Sequence, residues 1–147
     1  MKSFSTGIDI QASPATVWRI LTDLPLWPGW NTTVERTEGT IGAGAKVKVF
    51  VKQSPGRAFP VGVAELRAPH RMVWTGGMPL GLFIGTRTFE LEDTGHGMTR
   101  FHMRETYAGP LAGLICKSIP DLQPAFDEFA LCLKRAAESA PSSSHER

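Results

Sequence analysis

Residues 83–108 read FIGTRTFELEDTGHGMTRFHMRETYA, two runs of strand-forming residues around the turn-rich DTGHG. β-Branched and aromatic residues alternate with polar ones on both sides of that turn, a pattern that predicts an antiparallel hairpin. Side chains two residues apart share a face of a strand. One parity therefore collects Phe83, Gly85, Arg87, Phe89 and Leu91 with Thr99, Phe101, Met103, Glu105 and Tyr107. The other collects Thr86, Thr88, Glu90 and Glu92 with Arg100, His102 and Arg104. The first set is the inward face. A turn that opposes Phe89 to Phe101 also opposes Leu91 to Thr99, Arg87 to Met103 and Gly85 to Glu105, and on the outer face it sets Glu90 against Arg100 as a cross-strand charge pair. In this register Arg87 and Glu105 are diagonal neighbours, about 7 Å apart at the backbone. Desolvating both ions in a dry core is costly, so the inner face is expected to open on a cavity that admits water or a polar ligand group.

Outward from the hairpin, the same strand chemistry recurs in TVERTE, KVKVFVK, VGVAELR and RMVWT, each bounded by Gly or Pro. The segment at 46–52 alternates cleanly, with Val47, Val49 and Val51 on one face and lysines on the other, so one side of the sheet is wet. A bulge in the segment 61–67 would reverse its faces. Before the meander, FSTGIDIQ at 4–11 reads as a first strand. It is followed by a helix capped by Ser13, with Pro14 in its first turn and Val17, Trp18, Leu21 and Leu24 at helical spacing. After it, Leu111, Leu114, Ile115, Ile119, Leu122, Phe126, Phe129, Leu133 and Ala137 mark one face of a long helix, and Pro120 and Pro124 predict a kink or two segments. The class is α+β: a strand, one or two short helices, a six-strand meander, and a long C-terminal helix closing over a curved sheet.

The 147 residues fit one domain, expected at 1–139, with a disordered tail at 140–147. Sixteen basic and fourteen acidic residues, spread along the chain, leave a net +2, which is no footprint for nucleic acid. No window approaches the roughly 20 apolar residues of a membrane span, so no stable membrane insertion is expected, and the N-terminus lacks a signal-peptide core. A cytoplasmic location follows as the default. Cys116 and Cys132 belong to no CxxC or CxxH pattern and read as buried thiols. His70 and His96 fall in turns, His102 on the outer parity and His145 in the tail, so no metal site is expected. No GxSxG elbow is present. GGMPLGLFIG at 76–85 is not followed by a helix, as a dinucleotide loop would be; it reads as a mobile connection at the cavity mouth, with Met78, Leu80 and Leu82 against a ligand or capping the core.

Several motifs together, ASPATVWRILTD, WPGWN, WTG, GTRTFEL, MTRFHMRETYAG and the terminal LKRAAE, resemble the START-like or SRPBCC superfamily, which includes polyketide cyclase/dehydrase-like and Bet v 1-type proteins. The resemblance covers residues 3–138. It implies a helix-grip fold: a seven-stranded antiparallel sheet wrapped around the C-terminal helix, two short helices after the first strand, and a deep apolar cavity. It also implies a hydrophobic ligand such as a lipid, sterol or polyketide, and transfers no common catalytic set; no cofactor is expected.

The ligand-binding residues expected from parity and position are Trp30, Val49, Trp74, Arg87, Phe89, Phe101, Met103, Glu105 and Phe126, with Arg87 and Glu105 as polar anchors. Trp74 and Phe126 read equally as plain core. Three readings of the charged pair stand: a solvated pair at the barrel mouth, a pocket lining, or catalysis, in which Glu105, Arg87 or Tyr107 would polarise a carbonyl or move a proton in a cyclisation or dehydration. Catalysis is the least favoured, because a Glu held by Arg has its pKa lowered rather than poised near neutrality. An interaction module is a further alternative, such as a homodimer through a sheet edge or the tryptophan segment. In PLWPGWN at 25–31 the prolines and glycine allow at most one helical turn. It reads as a lid over the open side of the sheet, with Trp30 toward the cavity and Trp27 as its anchor.

Overall fold

The computed structural model describes residues 3–52, 56 and 58–140. Seven strands form one antiparallel sheet: β1 (Ser3–Ile10), β2 (Val34–Glu38), β3 (Lys46–Val51), β4 (Ala58–Arg67), β5 (Arg71–Met78), β6 (Phe83–Gly95) and β7 (Met98–Ala108), in the order β1-β7-β6-β5-β4-β3-β2. Only β1 leaves the meander, crossing to pair with β7 along its whole length. Helix α1 (Pro14–Leu21) begins where expected, with Ser13 Oγ accepting from Thr16 N at 3.3 Å and Pro14 in the first turn. It stops at Leu21, earlier than the apolar spacing predicts. Thr22 donates both its N–H and its hydroxyl to Trp18 O, at 2.9 and 2.8 Å, and Leu24–Leu26 form a separate 3-10 turn.

The sheet curls because its strands carry extra residues on one side. Register slips fall between Val34 and Arg36, between Val63 and Glu65, and between Asp93 and Gly95. The slip in β4 has the consequence expected of a bulge at 61–67. Val63 pairs with the inward Trp74, but beyond the slip Leu66 pairs with the inward Met72, so the inner parity changes from odd to even. On β3 the valines face the core, yet Phe50 is also buried, on the lysine side, beneath the Arg36 guanidinium 3.7 Å from its ring centroid.

The β6–β7 hairpin differs from the sequence reading by two residues. Arg87 pairs with Glu105, Phe89 with Met103, Leu91 with Phe101 and Gly85 with Tyr107. The turn itself is the cause: His96 and Gly97 both adopt positive φ, 57° and 75°, which suits a two-residue hairpin connection one residue later than the assumed centre. An even slip leaves every side chain on its face, so the inward set stands while its partners change. The expected Glu90–Arg100 pair does not form. Glu90 faces His102 and accepts from Arg71 Nη1 at 2.5 Å, while Arg100 faces Glu92 and donates to Asp9 Oδ1 at 3.2 Å.

The C-terminal apolar run is two segments rather than one kinked helix. A short helix α3 (Ala112–Ile115) passes into a 3-10 turn at Cys116–Ser118, and α4 (Gln123–Ser139) follows. Pro124 occupies the first turn of α4, where its missing N–H has no intrahelical partner to lose. Phe126, Phe129, Ala130, Leu133 and Ala137 form the buried stripe of α4 against the concave side of the sheet. Its other flank is tied to the first strand and the residue after it, by Thr6 Oγ1 donating to Asp127 at 2.8 Å and Gln11 N to Glu138 at 2.8 Å. The expected tail residues 141–147, with His145, lie outside the described residues.

Candidate functional site

Strand pairing lines up five inward side chains across the middle of the sheet: Val63, Trp74, Arg87, Glu105 and Phe4, each directly opposite the next. Two ions thus interrupt an otherwise apolar row. Arg87 Nε donates to Glu105 Oε1 at 2.7 Å, and the sole tyrosine, Tyr107, donates its hydroxyl to Glu105 Oε2 at 2.5 Å. Both carboxylate oxygens therefore hold a donor. The guanidinium lies 4.8 Å from the ring centroid of Phe126 on α4, which packs in turn on Phe4 at 5.8 Å. Side-chain exposures of 25% for Arg87 and 16% for Glu105 place the pair at a wetted edge of the concave face rather than in a dry core.

Tyr107 is buried and leans across Gly85, where a Cβ would stand 3.6 Å from its ring, to stack on Phe83 at 5.7 Å. Burial, reinforced by the adjacent Glu105 carboxylate, pushes its phenol well above the ordinary tyrosine range. It is a fixed proton donor to Glu105 and no phenolate base.

Below this row the concave face is filled with rings. Trp27, in helix α2 (Trp27–Trp30), is 1% exposed and donates its indole N–H to Leu21 O at 3.0 Å. It stacks on Trp74 at 5.4 Å and meets Phe129 edge-on at 5.2 Å. Phe89 sits edge-on to Trp74 at 4.9 Å, and Phe101 stacks on Phe129 at 6.1 Å. Where the resemblance implies a deep apolar cavity, these rings occupy the floor. The half-buried Trp30, Val61, Phe83, Ile119 and Leu122 pack at the margin of that core.

Of the expected site residues, the fold brings Arg87, Glu105, Tyr107 and Phe126 into contact and sets Trp74 beside Arg87. Phe89, Phe101 and Met103 lie deeper, each fully buried. Trp30 touches Trp27 and Phe129 from the outside of the cluster. Val49 is buried near the far edge of the sheet, on β3, opposite Phe59. Met78 and Leu80, 42% and 95% exposed, do not cap the core, and the expected connection at 76–85 is instead paired strand as far as Met78. Phe129, which joins Trp27, Trp30, Phe89 and Phe101, was legible as part of the helical stripe but not as a hub. Asn31, 1% exposed, carried no signal in the sequence.

An open concavity of about 750 Å³ lies on the convex face, lined by residues including Arg67, His70, Arg71, Glu90, Arg100 and His102. Its arginines are paired, Arg67 and Arg71 with Glu65, Arg71 also with Glu90, and Arg100 with Asp9. Among the described residues no group of three or more His, Cys, Asp or Glu is placed to hold a metal ion, and no helix is long and apolar enough to cross a membrane.

A curved seven-stranded sheet gripping a long C-terminal helix, with one ion pair set in an apolar row on its concave side, defines a helix-grip protein of the START-like type. More particularly, residues 1–138 match the family described as polyketide cyclase / dehydrase and lipid transport, and the chain belongs to it. Among solved structures it is similar to a hypothetical protein from Helicobacter pylori (TM-score 0.73, 14% identity, covering 92% of this chain and 88% of that one). It is also similar to a START superfamily protein from Mycobacterium smegmatis (0.68, 15%, 92% and 97%) and to truncated norcoclaurine synthase from Thalictrum flavum (0.69, 16%, 95% and 95%). At these identities the likeness establishes the fold alone. No curated protein matches the chain.

Proposed function

We propose that this protein binds a hydrophobic small molecule between the concave face of the sheet and α4, with Arg87 and Glu105 as its polar anchors. The observation that carries the reading is the Arg87–Glu105 pair, held at 2.7 Å on an apolar surface yet left partly accessible. Such a pair orients a mostly apolar guest through a few polar contacts. Trp30, Trp74 and Phe126 supply the nearest apolar area. Phe89, Phe101 and Met103 form the floor, and Val49 its far wall. Family membership supports the class of ligand without specifying it. A cyclase or dehydratase reading has less support, since Glu105 has a donor on each oxygen and Tyr107 is held protonated, which leaves neither as a free base.

Native mass spectrometry of the purified chain tests the reading. An apolar adduct removed by solvent extraction and restored on adding it back is expected. An unliganded chain that takes up no apolar compound overturns the proposal.

A further inference from the structure

Two stretches of the chain, 72–86 and 106–116, contain no Asp, Glu, Lys, Arg or His, although charged residues make up 20% of the sequence. The fold sets them side by side. Ile84 pairs with Ala108, and Leu111 N donates to Leu82 O at 2.9 Å, so the β5–β6 turn and the start of α3 form one uncharged end of the molecule. Four large apolar side chains are exposed there: Met78 at 42%, Ile84 at 38%, Leu114 at 68% and Leu80 at 95%. They are four of the six exposed large hydrophobics among the described residues, so the exposed apolar surface is concentrated rather than scattered. The first charged residue after this end is the exposed Lys117, three positions beyond Leu114 and on the same side of the helical turn.

Leu80 is the least expected of the four. It stands at the tip of the turn with φ of 61° and ψ of 21°, a left-handed conformation that glycine or asparagine adopts far more readily than leucine. Leu82 N, donating to Pro79 O at 3.3 Å, closes the turn around it. A leucine here gains no packing and costs backbone strain, so its reason lies outside the fold. A second copy is a poor match, because four side chains fall well short of the roughly 800 Å² that each partner of a stable dimer buries. Residues 141–147, PSSSHER, hold no large apolar side chain to cover the patch. A projecting, charge-free apolar tip with a lysine at its rim fits a bilayer surface, where apolar side chains enter the acyl boundary and an ammonium stays among the headgroups. We propose that this end of the protein docks on a phospholipid bilayer, with Met78, Leu80 and Leu114 entering the interface and Lys117 at the phosphates. The contact is shallow and reversible, since a strand turn and one turn of helix reach the acyl boundary without spanning it. It goes beyond the small-molecule reading and does not depend on it.

The test is cosedimentation of the intact chain, without added ligand, with vesicles of phosphatidylcholine and with vesicles of phosphatidylcholine and phosphatidylglycerol mixed three to one. Binding to both is expected, about fivefold tighter on the anionic vesicles. Leu80→Asp, at a nearly fully exposed position whose left-handed backbone Asp accepts more readily, should keep the melting temperature and lose at least about tenfold in vesicle affinity. Leu114→Asp should lose a comparable factor, and Lys117→Gln should lose only the preference for anionic vesicles. Leu26→Asp, 62% exposed on the 3-10 turn that Thr37 of β2 holds through Leu24 O, should bind as the parent does. A parent chain that stays in the supernatant with both vesicles overturns the proposal, and so does vesicle binding that Leu80→Asp and Leu114→Asp leave unchanged. A parent that is a dimer in solution while Leu80→Asp is a monomer assigns the patch to a second copy and likewise overturns it.

Discussion

Arg87 and Glu105 stand directly opposite each other in the β6–β7 register, and Arg87 Nε donates to Glu105 Oε1 at 2.7 Å on the concave face of the sheet. Direct opposition lets a short, directed bond form where a diagonal placement would require both side chains to reach. Tyr107 fixes the second carboxylate oxygen, and Phe126 covers the guanidinium, so the pair is held from three elements: β6, β7 and α4.

Removing one member leaves the other charge only partly hydrated. Arg87→Met or Glu105→Gln should each destabilise the fold by about 2 kcal/mol, read as a lower urea midpoint at constant slope. The double variant should be less unstable than the sum of the two single ones. Additive losses would show that the pair is not coupled.

Tyr107 is the only tyrosine, so phenolate absorbance at 295 nm reports it alone. Its folded pKa is raised by burial first and by Glu105 second, whereas the unfolded chain ionises near 10. The protonated group thus contributes stability that is fully present below about pH 10 and is lost as pH rises beyond it, because only the unfolded state then gives up the proton. Phenolate absorbance should appear together with loss of structure in circular dichroism. Ionisation near pH 10 in a chain that is still folded would contradict the assignment.

Trp27 and Trp30 share one helical turn but not one role. Trp27→Ala should cost roughly 3–5 kcal/mol, from lost ring contacts and an orphaned Leu21 carbonyl. Trp30→Ala should cost roughly 1–2 kcal/mol, since its ring is only half-buried, while weakening the binding of an apolar guest. Urea denaturation and calorimetry with a naphthalene probe separate the two effects. Unchanged affinity in Trp30→Ala removes that ring from the binding surface.

Two glycines flanking the turn before α3 should respond in opposite directions to alanine. Gly109 has φ of 106°, and a Cβ there would stand 2.6 Å from Leu82 O and 2.7 Å from Gly81 O, so Gly109→Ala should lose roughly 2–3 kcal/mol. Gly113 lies inside α3 with nothing within 4 Å of a built Cβ, so Gly113→Ala should gain about 0.5–1 kcal/mol through the unfolded chain. Thermal melts of the pair check both signs.

Most of the fold was legible because local chemistry decides it. Period-two alternation placed Arg87, Phe89, Glu105 and Tyr107 on one face, the Ser13-Pro14 signal started α1, and the three- and four-residue spacing of Phe126, Phe129, Leu133 and Ala137 marked the face of α4. Those patterns depend on side chains a few residues apart in the chain, so the sequence by itself determined the order of the strands and main helices, the faces of β3, β6 and β7, and the class of the sheet, while the faces of β4 waited on its bulge. Three things did not follow from those patterns. The hairpin register turned on whether His96 takes a left-handed conformation, which alternation does not encode. The closed floor arose because Trp27, Trp74, Phe89 and Phe129, from α2, β5, β6 and α4, meet only once the sheet has curled. The exposed apolar end around Leu80 and Leu114 became visible only then as well, because whether an apolar side chain finds a neighbour is a property of the assembled surroundings and not of the residue that carries it.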